Sequence, residues 1–95
     1  MIEVSIHEGE IKISGHANYA APGYDIVCAG ATSLAQTLIK SILDLAEDTI
    51  EYEMQPGLAE IKYRNLSERS RTLVDSFFIG ICLIADEFPE YIRIM

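Results

Sequence analysis

The chain has 95 residues and a formal net charge of −8, with 49% apolar and 23% charged residues. This length supports a single domain (residues 1–95) with one two-layer core, and the composition excludes an intrinsically disordered chain. The negative charge argues against direct nucleic-acid binding, which needs a basic face to displace phosphate counterions. No run reaches the roughly 18 apolar residues of a membrane span, and residues 1–4 lack the basic start of a signal peptide, so we expect a cytoplasmic protein with no membrane contact.

Two stretches near the start, residues 2–6 and 10–14, alternate apolar and polar side chains. This alternation is the period of a half-buried β-strand. His7, Glu8 and Gly9 lie between them and supply turn chemistry, so the pattern predicts a β-hairpin. His7 is expected to be solvated there.

Residues 15–24 follow no period, and their glycines and proline indicate a loop. A loop of this length in so compact a chain is typical of a functional segment. Asp25 is predicted to cap the next helix through its carboxylate. That helix is expected to end near Asp48, and its apolar side chains recur at helical spacing: Val27, Ala31, Leu34, Leu38, Ile42 and Leu45.

The second half repeats this order. Residues 49–54 and 58–63 predict a second hairpin around a Pro-Gly turn. Ser67 is predicted to cap a second helix that Pro89 terminates, and residues 91–95 are predicted to form a short closing strand. The fold class is therefore α+β: an antiparallel sheet of four to five strands with two helices packed on it, strand-strand-helix twice over.

The two cysteines, Cys28 and Cys82, are expected to be free thiols. Cys28 falls in the first turn of the first helix, where unpaired amides and the helix dipole favour a thiolate. The same amides are expected to bind the oxyanion of a tetrahedral intermediate. Cys82 lies in an apolar stretch of the second helix and is predicted to pack in the core.

His16 directly follows the second predicted strand. If that strand ends beside the start of the first helix, its imidazole reaches Cys28. A cysteine and a histidine within hydrogen-bond distance are the signature of nucleophilic catalysis, in which the histidine takes the thiol proton and later protonates the leaving amine. Asp25 is interpreted first as a helix cap and second as a group that orients His16.

No other motif competes with this pair. The histidines and cysteines lack zinc-ligand spacing, and no glycine-rich phosphate loop is present, so we expect no metal and no cofactor. Tyr19, Ala20 and Tyr24 in the loop favour an extended peptide substrate with bulky apolar side chains near the cut.

Residues 15–17 (Gly-His-Ala) and 23–29 (Gly-Tyr-Asp-Ile-Val-Cys-Ala) resemble the paired motif of the ribosomal-processing cysteine proteases called Prp. The resemblance extends to the tail, residues 88–92, and covers essentially the whole chain. One position departs from the family pattern, because a serine usually stands four residues after the cysteine and this chain has Thr32 there.

The resemblance implies that His16 and Cys28 are the catalytic residues, and we assign supporting roles to Asp25, Ala29 and Thr32. It also implies a homodimer and a mobile loop that closes on substrate. The implied function is removal of the N-terminal extension of a large-subunit ribosomal protein, number twenty-seven, during ribosome assembly. The partner would then be that precursor, and either a bacterial or a phage origin fits.

Two other interpretations stay open at this point. The chain could be a non-catalytic, dimerising protein-binding module in which Cys28 is structural. The apolar surface of the second helix is broader than one sheet face needs, which favours a dimer under either interpretation. Thiol–disulfide exchange is a weaker alternative, because the chain has no Cys-x-x-Cys pair.

Overall fold

A computed structural model describes all 95 residues. Seven regular elements follow in chain order: β1 (Ile2–His7), β2 (Glu10–Ser14), α1 (Ile26–Ser41), β3 (Ile50–Gln55), β4 (Leu58–Tyr63), α2 (Glu68–Glu87) and β5 (Ile92–Ile94). α1 continues without a break into one π-helical turn, Ile42–Ala46. The two hairpins, the two helices and the closing strand predicted from the sequence are confirmed.

The five strands form one sheet in the order β3-β4-β2-β1-β5. The first four strands pair antiparallel, as predicted, whereas β5 runs parallel to β1, with Ile92 opposite Ile2. The sheet is therefore mixed, because α2 returns the chain to the end of the sheet at which β1 begins. The α+β fold class is confirmed with this refinement.

One face of the sheet carries the core. Alternate residues of the strands are buried beneath the helices, among them Val4, Ile11, Ile61 and Ile92. Full burial of an isoleucine of this kind stabilises the fold by roughly 1.5–3 kcal/mol. The intervening strand residues, such as Lys12, are polar and solvated. The fold therefore has two layers, with the sheet in one and both helices in the other.

The continuous helical segment Ile26–Ala46 is long and apolar enough to cross a membrane by length and composition, with a mean hydropathy of 1.5. One side of this segment belongs to the core, whereas Ile26 and Leu45 at its two ends are exposed. Five residues of α1 are buried against the rest of the domain: Val27, Ala31, Ala35, Leu38 and Ile39. The segment is the central core helix of the fold.

A carboxylate ties the start of α2 to the end of the α1 segment. Ser67 caps α2 by accepting a hydrogen bond from the Ser70 backbone N–H. The Asp48 carboxylate accepts hydrogen bonds from the Ser67 backbone N–H at 3.0 Å, from the Ser67 hydroxyl at 2.7 Å and from the buried Ser70 hydroxyl. The Ser70 hydroxyl, followed by the two Ser67 donors, holds the pKa of Asp48 below its usual value.

Candidate active site

Strand pairing places the end of β2 beside the tip of the β3–β4 hairpin. Ser14 is the register partner of Leu58, and the Gly15 backbone N–H donates to the Gly57 carbonyl oxygen at 2.9 Å. His16 follows immediately, so its backbone leaves the sheet against the hairpin turn. Segments that lie far apart in the chain therefore meet at this end of the sheet.

A cleft of about 370 Å³ opens at this junction between the sheet and the first turns of α1. His16, Cys28 and Thr32 all line it, so the structure brings these three predicted residues together. The remaining wall is largely apolar and comes from β2, α1 and the β3–β4 hairpin: Ile13, Ala31, Ala35, Met54, Leu58 and Ala59. Such a cleft has a reactive rim and an apolar floor.

The Cys28 sulfur is half-buried and faces a backbone amide. The Ala17 N–H donates to Cys28 Sγ at 3.3 Å. No hydrogen bond joins His16 to Cys28 in this arrangement. The exposed His16 ring instead lies with its far edge against the hairpin tip, because a Cβ added to Gly57 would come within 2.7 Å of His16 Nε2.

Asp25 caps α1, as predicted, and also holds the loop that precedes it. Its Oδ1 accepts from the Val27 and Cys28 amides, both at 3.0 Å, and its Oδ2 accepts from the Tyr19 amide at 3.0 Å and the Ala20 amide at 3.5 Å. Partial burial raises the pKa of this carboxyl, but the four amide donors outweigh that effect. The pKa of Asp25 therefore lies below its ordinary value of 3.8.

The first-turn amides of α1 were expected to be free to bind an oxyanion, but in the structure they already have hydrogen-bond partners. The Val27 and Cys28 amides are bonded to the Asp25 carboxylate, and the Ala29 amide donates to the Asp25 carbonyl oxygen at 3.0 Å. The carboxylate takes up the Val27 and Cys28 donors, and the Ala29 bond is an ordinary main-chain bond of the helix. All four bonds to the Asp25 side chain come from backbone amides, so Asp25 makes no hydrogen bond to His16.

The loop lies along the C-terminal segment rather than over the cleft. The Tyr19 ring packs edge-to-face against Phe88 and Tyr91, with centroid distances of 5.4 and 5.1 Å. Tyr24 is 79% exposed. Tyr19 and Tyr24, which the sequence suggested as substrate contacts, therefore do not line the cleft.

Both thiols are free, so the structure contains no Cys28–Cys82 bridge that would support thiol–disulfide exchange. Cys28 packs against the edge of the core, whereas Cys82 is half-buried on α2 and outside the core cluster, so its predicted core packing is only partial. His7 is exposed at the end of β1, as expected.

A larger open groove of about 1390 Å³ lies at the opposite end of the sheet. Its lining mixes charges of both signs, including Glu8, Lys62 and Arg64, and it includes neither cysteine and neither histidine. The chemistry expected from the sequence thus lies in the smaller cleft.

Two parts of the site were not found from the sequence: the Ala17 amide at the sulfur and the hairpin tip that touches His16. A backbone donor has no side-chain signature. The Pro-Gly turn was predicted as a turn, but its contact with His16 depends on the order of the strands in the sheet, which the sequence does not show.

Comparisons with known proteins match this chain and its fold to one family. The model of the family described as "Cysteine protease Prp" matches residues 1–93. The ribosomal processing cysteine protease Prp of Staphylococcus aureus is 25% identical over 88 residues, covering 90% of this chain and 83% of the relative.

Two solved structures of S. aureus Prp have the same fold. The complex with a covalently linked product peptide matches with a TM-score of 0.88 at 20% identity, over 98% of this chain and 94% of that one. The complex with a substrate peptide matches with a TM-score of 0.77 at 18% identity, over 99% and 95% of the two chains. With the family model spanning nearly every residue, the chain belongs to the Prp family of cysteine proteases.

Proposed function

We propose that this protein is an endopeptidase in which Cys28 is the nucleophile and His16 is the general base and acid. The observation that carries the proposal is the cleft itself. It joins a half-buried thiol, an exposed imidazole and an apolar floor in one concave surface. We expect a peptide laid along this cleft to pass both reactive groups, because both line the same surface.

The chemistry proceeds in two halves. Cys28 Sγ attacks the scissile carbonyl carbon while His16 holds the thiol proton, and His16 then gives that proton to the departing amine. The products of this half are a free amine and a thioester on Cys28. His16 next takes a proton from water, the resulting hydroxide attacks the thioester, and the thiol is restored with release of the acid.

The Ala17 amide supports the nucleophile. It donates to the sulfur at 3.3 Å, and a hydrogen bond to sulfur strengthens when the sulfur carries negative charge. The start of α1 adds its dipole at the same place. The first-turn amides of α1 are bonded to Asp25 in the resting state, so Ala17 is the backbone donor that faces the reacting atom.

We propose the precursor of large-subunit ribosomal protein number twenty-seven as the substrate, cut at its N-terminal extension in the cytoplasm during ribosome assembly. The S. aureus relative is named as a ribosomal processing protease and its structure holds a substrate peptide. Ribosomal proteins are basic, and the net charge of −8 on this chain favours their approach.

We further propose a homodimer that associates through α2. Ile79 and Leu83, one helical turn apart on this helix, are 62% and 65% exposed, and Phe78 beside them is 38% exposed. Adjacent apolar side chains left in water on one helix form a surface that favours self-association.

The test is co-expression with the precursor, followed by mass spectrometry of the precursor's N-terminus. Cys28→Ala should abolish cleavage, because no other side chain in the cleft supplies a nucleophilic sulfur. His16→Ala should slow it by roughly 10²–10⁴-fold, the usual contribution of general acid–base catalysis. Cys82→Ala is the matched control and should cleave normally.

Cleavage that survives Cys28→Ala would refute the proposal. Alkylation separates it from a non-catalytic module. Iodoacetamide in mild acid should label Cys28 in preference to Cys82 if the Cys28 thiolate is stabilised. Equal, slow labelling of both cysteines would favour the module with a structural Cys28.

A further inference from the structure

The tip of the β3–β4 hairpin touches the imidazole of His16 at a residue with no side chain. A Cβ built on Gly57 would lie 2.7 Å from His16 Nε2 and 3.2 Å from Cε1. The ring therefore occupies the space that any side chain at residue 57 would need. Gly57 also lines the cleft with His16 and Cys28.

A second contact fixes the backbone at the same place. The Gly57 carbonyl oxygen accepts from the Gly15 N–H at 2.9 Å, one residue before His16. The backbone of Gly57 has φ +79°, a conformation that glycine adopts without strain. Gly57 thus makes two contacts at this place. Its carbonyl oxygen fixes the backbone just before His16, and its Cα lies against the far edge of the His16 ring.

We propose that Gly57 is a positioning residue for the protease reaction: its bare Cα seats the His16 imidazole in the cleft. This inference rests on the proposed role of His16. Because Nε2 lies at the hairpin tip, the proposal assigns Nδ1 as the ring nitrogen that exchanges a proton with Cys28. The seat therefore selects which nitrogen exchanges the proton with sulfur.

The size of the effect follows from the geometry. Ordinary contact of a Cβ begins at 3.4 Å, so a methyl group at residue 57 would displace Nε2 by about 0.7 Å. A misplacement of roughly 1 Å at a reacting group costs up to about 10²-fold in rate. We expect Gly57→Ala to lower the rate of precursor cleavage by roughly 10- to 100-fold.

Gly9→Ala is the matched control. Gly9 lies in the β1–β2 turn at the opposite end of the sheet, has φ +83°, and its added Cβ would meet only the Tyr63 carbonyl oxygen, at 3.3 Å. Both variants force alanine into a left-handed conformation, so both should lose similar stability. Only Gly57→Ala should slow precursor cleavage and Cys28 alkylation. Gly57→Asn is a second variant, since asparagine tolerates positive φ but still carries a Cβ.

The decisive measurement is the rate of Cys28 alkylation by iodoacetamide at pH 7, read by peptide mass spectrometry with Cys82 as the internal reference. Gly57→Ala and Gly57→Asn should slow Cys28 towards the rate in His16→Ala, while Gly9→Ala should leave it unchanged. In the His16→Ala background, adding Gly57→Ala should cause no further slowing, because the glycine acts through the ring.

Three results would overturn the inference in distinguishable ways. If Cys28 is alkylated at the wild-type rate in both Gly57 variants but slowly in His16→Ala, then Gly57 does not position His16, and the proposed function is unaffected. Equal slowing by Gly57→Ala with and without His16 means that the glycine is only structural. Wild-type alkylation in His16→Ala removes the proposed role of His16 and this inference with it.

Discussion

Asp25 divides one carboxylate between two tasks. Oδ1 caps α1, and Oδ2 holds the backbone of the preceding loop at Tyr19 and Ala20. The cap was predicted from residue type and position, because the partners of an N-cap lie two or three residues ahead. The loop contacts depend on how residues 19 and 20 fold back, which no local pattern encodes.

Substitution of Asp25 should separate these tasks. Asp25→Asn keeps one acceptor oxygen and a good N-cap, so α1 should be retained while the loop amides lose their partner. Asp25→Ala should lose both, at a cost of about 1 kcal/mol for the cap. The amide NMR shifts of Tyr19 and Ala20 report the loop, and the thermal midpoint reports the cap. Unchanged loop shifts in Asp25→Asn would contradict the assignment.

The same carboxylate makes the loop sensitive to acid. The pKa of Asp25 in the folded protein lies below 3.8, its value in the unfolded chain. The four bonds are therefore fully present above that pH and are lost as the pH falls through the folded pKa. We expect the Tyr19 amide shift to change below about pH 4 in the wild type and to show no such step in Asp25→Asn.

At the scale of elements, the sequence predicted the individual strands, turns and helix caps better than it predicted which strands pair. Strand alternation, the Pro-Gly turn and the caps at Asp25 and Ser67 each depend on a few neighbouring residues, and all were predicted. The order of strands is a property of distant segments. For that reason the proximity of His16 and Cys28 was only a hypothesis from the sequence, and the contact with Gly57 was not anticipated.

The Ser67 cap offers a test at this scale. Ser67→Ala removes the hydroxyl that caps α2 and also donates to Asp48. The loss of an N-cap costs about 1 kcal/mol, which lowers the thermal midpoint of a domain this size by roughly 4–8 °C. Ser76→Ala, at an exposed site within α2, is the control and should change the midpoint little. Equal midpoints for the two variants would show that the cap contributes nothing.

At the scale of the whole molecule, the sheet has one solvated face, and the helical layer also leaves apolar side chains in water. If α2 forms the dimer interface, Leu83→Glu should convert the protein to a monomer in sedimentation velocity experiments, because a charge buried at an interface is costly. Tyr52→Glu is the control, since Tyr52 is 54% exposed but lies on the edge strand β3. A wild-type protein that sediments only as a monomer would refute the dimer.

The meeting of β2 with the β3–β4 hairpin has a consequence for when the protein becomes active. Both proposed catalytic residues have been synthesised once residue 28 has been added, yet the far wall of the cleft comes from residues 54–59. A partly made chain therefore carries the reactive groups without a place to hold a peptide. Because pairing of β2 with β4 completes the enclosure, we expect peptide cleavage to begin only after residues 54–63 have been made and β4 has paired with β2.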